Sequence, residues 1–269
     1  MSEIVFLGTA GGRMVVTSQL RKSGGFWMDL KGKHILIDPG PGCLVRCAEL
    51  GLRPSDLDCI ILSHKHIDHS NDVNIMIEAM SGGSFRPRGM LLAPDDALEG
   101  EDPVVLKYVR GYIRNNIRTL EPAFKYKLEG GITIWVASRM VHAGIESYGL
   151  KFAFDGKTIG YVTDTKFFPG LPEAFTGCDC LVINMVRMTH DARFEHLTPD
   201  DVIKLLKVAK PGVAVLSHFG MQVVKANPAA VAQRVEKEAH VRTIAAEDGM
   251  RVSLDGPKAL VETTLSSFS

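Results

Sequence analysis

The sequence lacks the features that mark secreted and membrane proteins. Its five cysteines are an odd number, and none of them falls in a CxxC pair. No apolar run approaches the roughly 20 residues of a membrane span. The first residues contain no basic segment followed by an apolar stretch and a small-residue cleavage site. We therefore expect a cytoplasmic protein that contacts no membrane and whose cysteines are buried, without a disulfide framework.

An excess of charge of either sign is also absent. The chain has 31 basic and 31 acidic residues, so no general field attracts polyanions, although a local basic patch can still do so. One candidate patch lies within 102–118, where we predict a helix and where a basic residue recurs every three or four positions. It would face solvent or contact a phosphate-bearing substrate, and it consists of Lys107, Arg110, Arg114 and Arg118.

What is present is an ordinary globular composition, with 45% apolar residues over 269 positions, which is enough for a sizeable core. Alternation and turn residues predict an early antiparallel meander with strands at 14–18, 26–30 and 34–37. Further strands are predicted at 59–62, 90–93, 132–137, 150–154, 158–162, 181–186 and 213–216. Helices are predicted at 44–50, 71–80, 199–209 and 228–239. Without repeats or linkers, we expect residues 1–269 to form one domain with two sheets and helices outside.

The most informative stretch is the buried strand at 59–62 and the polar residues that follow it. Three histidines and an aspartate occupy the positions directly after Ser63, in the order His64-Lys65-His66-Ile67-Asp68-His69. A strand ends at the edge of its sheet, where side chains from a turn converge on one point. Neutral imidazoles and carboxylates are ligands for borderline divalent metals such as zinc. This spacing predicts a metal site.

Further candidate ligands follow strands downstream. His142 comes after the strand at 132–137, Asp164 after 158–162, and His218 after 213–216. A single histidine after a strand is more often structural than a ligand. Here three separate placements agree with one another and with the first cluster, which favours ligands.

In these motifs the chain resembles the metallo-β-lactamase superfamily over nearly its whole length. Within that superfamily it is similar to the phosphodiesterase branch, which contains tRNA 3′-processing endonucleases and small cyclic phosphodiesterases. The resemblance implies an α+β fold, a four-layer αββα sandwich with the metal site at one edge between the sheets. The matching pieces are Asp38 before Pro-Gly, the HxHxDH motif at 64–69, His142, Thr163-Asp164-Thr165, His196-Leu197-Thr198 and Leu216-Ser217-His218-Phe219.

The resemblance also implies two divalent metal ions, zinc by preference, with manganese or iron as alternatives. One ion would be held by His64, His66 and His142, the other by Asp68, His69 and His218, with Asp164 bridging them. Such a pair generates a nucleophilic hydroxide near neutral pH and clamps both oxygens of an in-line displacement. Asp38 would support a ligating imidazole from behind.

Two residues are implied to act in catalysis, Asp68 as a ligand of the reacting metal and His196 beside the substrate. His196 precedes a predicted helix N-terminus, where anion binding is favoured. In the phosphodiesterase branch, a histidine in this context stabilises phosphoryl charge or protonates the leaving oxygen. Glu195 is a candidate for orienting it. His190 could reach the site from a loop, whereas His34 and His240 are expected to be structural.

The substrate is less defined. Only 21 residues separate His142 from Asp164, too few for the protruding arm with which tRNA-processing enzymes grip tRNA. The familiar small cyclic phosphodiesterases carry a cysteine-rich zinc site near the start, but this chain has no cysteine before Cys43. We therefore expect hydrolysis of a small or short nucleotide-like phosphodiester rather than of a long structured RNA. An acyl hydrolase of the lactonase or thioesterase type, or a non-catalytic accessory protein, are the alternatives, and a homodimer is left open.

Overall fold

Two mixed β-sheets form the centre of the molecule in a computed structural model that describes residues 2–255 and 260–262. The first sheet has the order β15-β14-β1-β2-β3-β4-β5-β6, with β1 Glu3–Phe6, β2 Phe26–Leu30, β3 Lys33–Ile37, β4 Leu57–Ile61, β5 Met90–Ala93, β6 Ile117–Thr119, β14 Arg251–Ser253 and β15 Leu260–Glu262. The second has the order β13-β12-β11-β10-β9-β8-β7, with β7 Lys125–Leu128, β8 Ile132–Arg139, β9 Tyr148–Phe154, β10 Lys157–Val162, β11 Cys180–Asn184, β12 Val213–Ser217 and β13 Thr243–Ala245.

Helices connect these strands and cover the outer faces of both sheets. In the described part of the chain they are α1 Gly12–Ser18, α2 Cys43–Glu49, α3 Ile67–Ser70, α4 Val73–Ser81, α5 Asp95–Leu98, α6 Lys107–Arg110, α7 Leu171–Ala174, α8 Pro199–Ala209, α9 Met221–Lys225 and α10 Pro228–Ala239. The helices predicted at 199–209 and 228–239 are confirmed at both ends. None of the helices in these described ranges is long and apolar enough to cross a bilayer.

Three buried layers of apolar side chains hold the four layers of backbone together. Because side chains alternate along a strand, Phe6 of β1 packs with Phe152 of β9 between the sheets. Its neighbour Val5 faces the opposite way, into the layer that contains Met76 of α4. Leu205 of α8 belongs to the corresponding layer outside the second sheet. Fully burying one such side chain contributes about 1.5–3 kcal/mol. This order of layers confirms the predicted αββα sandwich.

Strand direction places the loops that matter for function. In the first sheet β3, β4, β5 and β6 run parallel, and in the second β10, β11, β12 and β13 run parallel. Parallel strands end at the same edge of their sheet, so the loops that follow them lie side by side. The segments after β4, β10 and β12 carry most of the predicted ligands, and His142 follows β8.

The strand predicted at 14–18 is wrong, because these residues form α1. Valines favour strands, yet Val15 and Val16 are buried in a small cluster against Met221 and Val224 of α9. Packing of one helix on another outweighs the weak intrinsic preference of β-branched residues. The meander therefore consists of β1, β2 and β3.

The helix predicted over 102–118 is also wrong, since the segment divides into α6, a 3₁₀ turn at Gly111–Ile113 and β6. Arg114 and Asn115 adopt positive φ angles of 52° and 53°, which end the helical path. Arg110 turns back to bond the carbonyls of Leu98 and Val105 and pairs with Glu99. The four bases consequently share no helical face.

The cysteines are buried and unpaired, as predicted. They are Cys43, Cys47, Cys59, Cys178 and Cys180. Burial raises the pKa of the Cys180 thiol to about 12, so this side chain behaves as a small apolar group.

Candidate metal centre

The first ligand cluster lies in the connection from β4 to α3. His64 is fully buried directly after the strand, and α3 carries Asp68 and His69 in its single turn. The Ser70 hydroxyl donates to the carbonyls of Lys65 and His66 at 2.9 and 3.0 Å. These bonds tie the end of α3 to the segment that precedes it. A Cβ at Gly40 would overlap the Asp68 carbonyl oxygen. This close packing fixes the path of the chain beside the ligands.

The second sheet supplies the other three candidate ligands. His142 lies between β8 and β9, Asp164 follows β10, and His218 follows β12. His218 adopts a positive φ of 60°, and a Cβ at Gly11 would overlap its carbonyl oxygen. The glycine turn at 8–12 thus packs against the backbone of a candidate ligand residue.

Among the described residues, four overlapping groups of three potential metal ligands lie at this centre, and two of them combine side chains from both sheets. His64, His66 and His142 form one group, in which the three ligand atoms lie within 4.8 Å of one another. A second group of the same size consists of Asp68, His69 and His218. The other two are Asp38 with His64 and His69, and His142 with Asp164 and His196. The structure therefore brings together the two sets that the sequence suggested.

Asp164 lies between these groups. Its Oδ2 atom is 3.4 to 3.8 Å from ring nitrogens of His218, His69 and His142. Its other oxygen, Oδ1, accepts a hydrogen bond from Asn184 Nδ2 at 2.9 Å. One oxygen is thereby held by the protein while the other faces both groups, the arrangement expected of a carboxylate that bridges two cations.

Hydrogen bonds to the ring nitrogens that face away from the centre orient the imidazoles. His69 Nδ1 lies 3.0 Å from Asp38 Oδ2, and His142 Nδ1 lies 3.1 Å from the Glu195 carbonyl oxygen. Because a carboxylate and a carbonyl only accept, both Nδ1 atoms carry the proton. Their Nε2 atoms then face the centre, where His69 Nε2 has no hydrogen-bond partner and His142 Nε2 lies 3.0 Å from His66 Nδ1, a second nitrogen of the same candidate ligand group.

The Asp38 side chain lies behind the candidate ligands and bonds several residues around them. Its backbone adopts a positive φ of 50°. Besides His69, its carboxylate accepts hydrogen bonds from the Ser63 amide and hydroxyl, both at 2.6 Å, and from the Tyr161 hydroxyl at 2.8 Å. The Ser63 hydroxyl also lies 3.0 Å from His64 Nδ1. Asp38 thus connects ligand residues of one group with those of the other.

Sequence reasoning missed three buried polar residues of this support: Ser63, Tyr161 and Asn184. Asn184 ends β11 at the edge where Asp164 and His218 follow their strands, so the strand-end argument would have found it. Tyr161 stands within an apolar strand, and no signal in the sequence separates it from a core aromatic. The Tyr161 hydroxyl oxygen accepts a hydrogen bond from Asn184 Nδ2 at 3.2 Å.

The electrostatics of the centre favour binding of cations. Burial lowers the pKa of His64 and His66, so both imidazoles are neutral and have a free lone pair. Burial acts to raise the pKa of Asp164, but His218 and His69 hold it well below its ordinary value. Burial likewise opposes protonation of His218, yet Asp164 raises its pKa to about 9, and Asp68, Asp164 and Asp38 raise the pKa of buried His69 well above its ordinary value. A cation that binds these two rings would displace a proton from each of them. Buried carboxylates therefore stay ionised at the centre.

His196 lies beside Asp164, with its Nδ1 atom 3.5 Å from Asp164 Oδ2. The residue precedes the N-cap Thr198 of α8 by two positions, and Thr198 forms a capping box with Asp201. Burial lowers the pKa of His196. The sequence-derived idea that Glu195 orients His196 receives no support, because the Glu195 carboxylate binds the Ala143 amide and Lys166 instead.

The remaining histidines lie outside this centre. His190 is exposed and pairs with Asp201 at 3.1 Å, so the structure does not bring it to the ligands. His34 Nδ1 accepts from the Trp27 indole at 3.3 Å, and His240 ends α10 at a φ of 57°. Between His142 and Asp164, β9 and β10 form a tight hairpin, and no arm protrudes from this interval.

The donor set fits divalent metal ions. Within the described residues, four ring nitrogens at the centre are buried without a hydrogen-bond partner: His64 Nε2, His69 Nε2, His218 Nε2 and His196 Nδ1. Buried polar atoms in proteins are nearly always satisfied, and imidazole nitrogens with carboxylate oxygens are the ligands of zinc, manganese and iron. A cation at each of the two groups would satisfy the first three nitrogens.

Comparison with known proteins agrees with this geometry. Residues 33–219 match the beta-lactamase superfamily domain. An uncharacterized protein of Methanocaldococcus jannaschii, MJ1374, is 32% identical over 257 residues, which cover 94% of this chain and 95% of that protein. A protein named ribonuclease Z from Methanopyrus kandleri is 24% identical over 92% of this chain and 96% of its own length. The crystal structure of a diphosphatase from the PhnP family superposes with a TM-score of 0.68 at 20% identity, over 97% of this chain and all of the other.

Proposed function

Since the chain belongs to the metallo-β-lactamase superfamily, we propose that it is a dinuclear metal-dependent hydrolase, in the first instance with zinc, that cleaves phosphodiesters. The arrangement of donors at the centre supports this proposal. Three imidazoles face one point, two imidazoles and a carboxylate face a second, and Asp164 Oδ2 lies between them. When bound, two divalent cations would supply a hydroxide nucleophile near neutral pH and stabilise charge on the phosphoryl oxygens.

The protein's own residues would prepare the site for this chemistry. Asp38 and the Glu195 carbonyl orient His69 and His142, so that these rings hold their Nε2 atoms toward the ions without rearrangement. Asp68 and Asp164 contribute two negative charges, which leaves the loaded site with a net positive charge that attracts an anionic diester. Asn184 keeps Asp164 Oδ2 turned inward.

His196 is the observation that favours phosphodiesters over lactones and thioesters. Its imidazole stands beside the carboxylate shared by both groups, within reach of an oxygen bound there. A ring N–H at this position would stabilise the negative charge on the phosphoryl oxygens, which a neutral lactone or thioester lacks, and could also protonate the leaving oxygen. The relatives named ribonuclease Z point to the same class of reaction.

Hydrolysis of bis-p-nitrophenyl phosphate by the metal-reconstituted protein tests this function. We expect a chelator to abolish the activity and zinc to restore it. His196→Ala should lower kcat about a hundredfold or more, the usual cost of losing one donor that stabilises transition-state charge. His34→Ala, which alters a histidine outside the centre, serves as the matched control and should retain the wild-type rate.

Lactones and thioesters assayed beside the diester decide between reaction classes. Faster turnover of an acyl substrate, with His196→Ala unchanged, would contradict the phosphodiesterase assignment while leaving the metal centre intact. Elemental analysis of the same preparation reports the metal content independently of activity.

A further inference from the structure

A short loop next to the metal centre carries an unusual group of side chains. This loop, called the rim loop here, comprises residues 187–194 and connects the end of β11 with His196. The Arg187 amide donates to the Leu197 carbonyl at 3.5 Å, which brings the two ends of the loop together. Phe194 precedes His196 by two residues, so the two Cα atoms are at most about 7 Å apart. The loop therefore forms part of the border of the centre.

Two arginines of the rim loop lie over the aromatic ring of Phe194. The Arg187 guanidinium is 4.5 Å from the ring centroid and that of Arg193 is 5.5 Å away. Both also pair with the Asp191 carboxylate, at 3.3 and 2.8 Å. The group combines three flat, stackable side-chain surfaces with a net positive charge.

A purely structural role accounts for this group only in part. The Phe194 side chain is 47% exposed, although a ring that served only to hold the loop would gain more by full burial. In the described residues, Arg187 Nε is buried without a hydrogen-bond partner, and such donors usually have one. An exposed aromatic ring beside the exposed guanidinium of Arg193 is suited to a ligand that brings its own flat ring and an acceptor oxygen.

We propose that Arg187, Arg193 and Phe194 form a binding subsite for a nucleoside next to the scissile phosphate. This inference rests on the proposed phosphodiesterase function and narrows its substrates to nucleotides. A nucleobase stacks on Phe194 or on a guanidinium plane, as bases do on aromatic and arginine side chains of single-strand binding proteins. The exposed guanidinium of Arg193 donates to an oxygen of the adjoining phosphate or ribose.

Two diesters that share a leaving group isolate the contact with the base. Thymidine 5′-p-nitrophenyl phosphate and methyl p-nitrophenyl phosphate both release p-nitrophenol, and they differ only in the thymidine. The quantity measured is the ratio of their kcat/KM values with zinc-loaded protein. Stacking on one aromatic ring contributes about 1–3 kcal/mol, so Phe194→Ala should lower this ratio about 5- to 150-fold, and Phe194→Trp should restore it.

Phe85→Ala is the matched control, since Phe85 is 94% exposed on a loop of the first sheet that supplies no candidate ligand. It should leave both substrates unaffected. An equal loss on the two diesters in Phe194→Ala would show a structural role for the ring and overturn the subsite, as would an unchanged ratio.

Failure of the subsite is distinguishable from failure of the proposed function. If the wild-type protein cleaves neither diester, the phosphodiesterase proposal fails, and calorimetric binding of thymidine 5′-monophosphate to the wild type and to Phe194→Ala decides the subsite separately. Weaker binding by the variant supports the subsite, whereas equal or absent binding overturns it. A 2′,3′-cyclic nucleotide and a short single-stranded RNA, assayed with the same pair, show which nucleotide source depends on Phe194.

Discussion

At the scale of single residues, the candidate ligands depend on neighbours that never touch the cations. Asp38 accepts hydrogen bonds from Ser63, His69 and Tyr161 within a space closed to solvent. Removing one donor from such a network leaves a buried acceptor partly unsatisfied, which costs about 1–3 kcal/mol. Evolutionary change at these supporting positions should therefore alter metal affinity as well as stability.

Asn184 provides the sharpest test of this dependence. Asn184→Leu keeps a side chain of similar size but removes the Nδ2 donor to Asp164 Oδ1 and to the Tyr161 hydroxyl. Asp164 Oδ2 then loses its fixed direction. Substitution of outer-shell partners typically lowers metal affinity 10- to 100-fold, and we expect a loss of about that size. The zinc dissociation constant is measured by competition with a chromophoric chelator.

Asn116→Leu is the matched control for this measurement. Asn116 Nδ2 donates to the Gly89 carbonyl at 2.9 Å, in the first sheet beside β5. Its loss removes a comparable amide hydrogen bond and should leave zinc affinity unchanged. Equal affinity of Asn184→Leu and the wild-type protein would show that Asp164 needs no partner to hold its orientation.

Sequence reasoning identifies candidate ligands where a residue type that binds metals stands just after an apolar strand. His64, Asp164 and His218 follow apolar strands directly, and parallel strands end at a common edge. The structure brings these side chains together, while their binding of metal remains a prediction. Tyr161 could not be found in this way, because an aromatic residue in a buried strand looks like core until the carboxylate beside it is seen.

At the scale of elements, the loop-to-helix junction before α8 holds His196 in place. The Thr198 hydroxyl and the Asp201 carboxylate are 2.8 Å apart, and the Thr198 amide donates to the same carboxylate at 3.1 Å. Asp201 is almost fully buried. These bonds satisfy backbone groups at the helix start that otherwise lack partners.

Thr198→Ala removes the capping hydroxyl and should lower the free energy of unfolding by about 1 kcal/mol, the typical cost of losing a cap. Urea denaturation followed by circular dichroism measures this change. Thr198→Ser keeps the hydroxyl and should remain close to the wild-type value. Similar losses in both variants would assign the effect to the missing methyl group rather than to the cap.

Long amphipathic helices were predictable, whereas short elements were not. The α8 and α10 boundaries follow from Thr198 and Asn227 as caps and from proline at the first helical position. In contrast, α1 forms because its two valines pack on α9, a contact that lies far away in sequence. The same limitation applies to 102–118. Here Arg110 bonds the carbonyls of Leu98 and Val105, and the segment does not continue as a regular helix.

At the scale of the whole molecule, the metal centre joins the two sheets. His64, His66, Asp68 and His69 follow a strand of the first sheet, while His142, Asp164 and His218 follow strands of the second. The two groups that would hold the ions, His64 with His66 and His142 and Asp68 with His69 and His218, each contain members from both sheets. The sandwich itself was predictable from its family motifs and alternating strands, since apolar faces of two sheets must pack on each other.

Because each ion would bind residues from both sheets, metal binding should stabilise the folded molecule as a whole. A ligand that binds only the folded state raises the free energy of unfolding by about 2.7 kcal/mol at a hundred times its dissociation constant. Zinc should therefore raise the denaturation midpoint of the chelator-treated protein. His142→Ala removes the second sheet's ligand from one group and should lose much of that increase. His240→Asn, a histidine substitution outside the centre at a backbone conformation that asparagine tolerates, should retain it. If zinc stabilised His142→Ala as strongly as the wild type, the group of His64, His66 and His142 would not be a binding site.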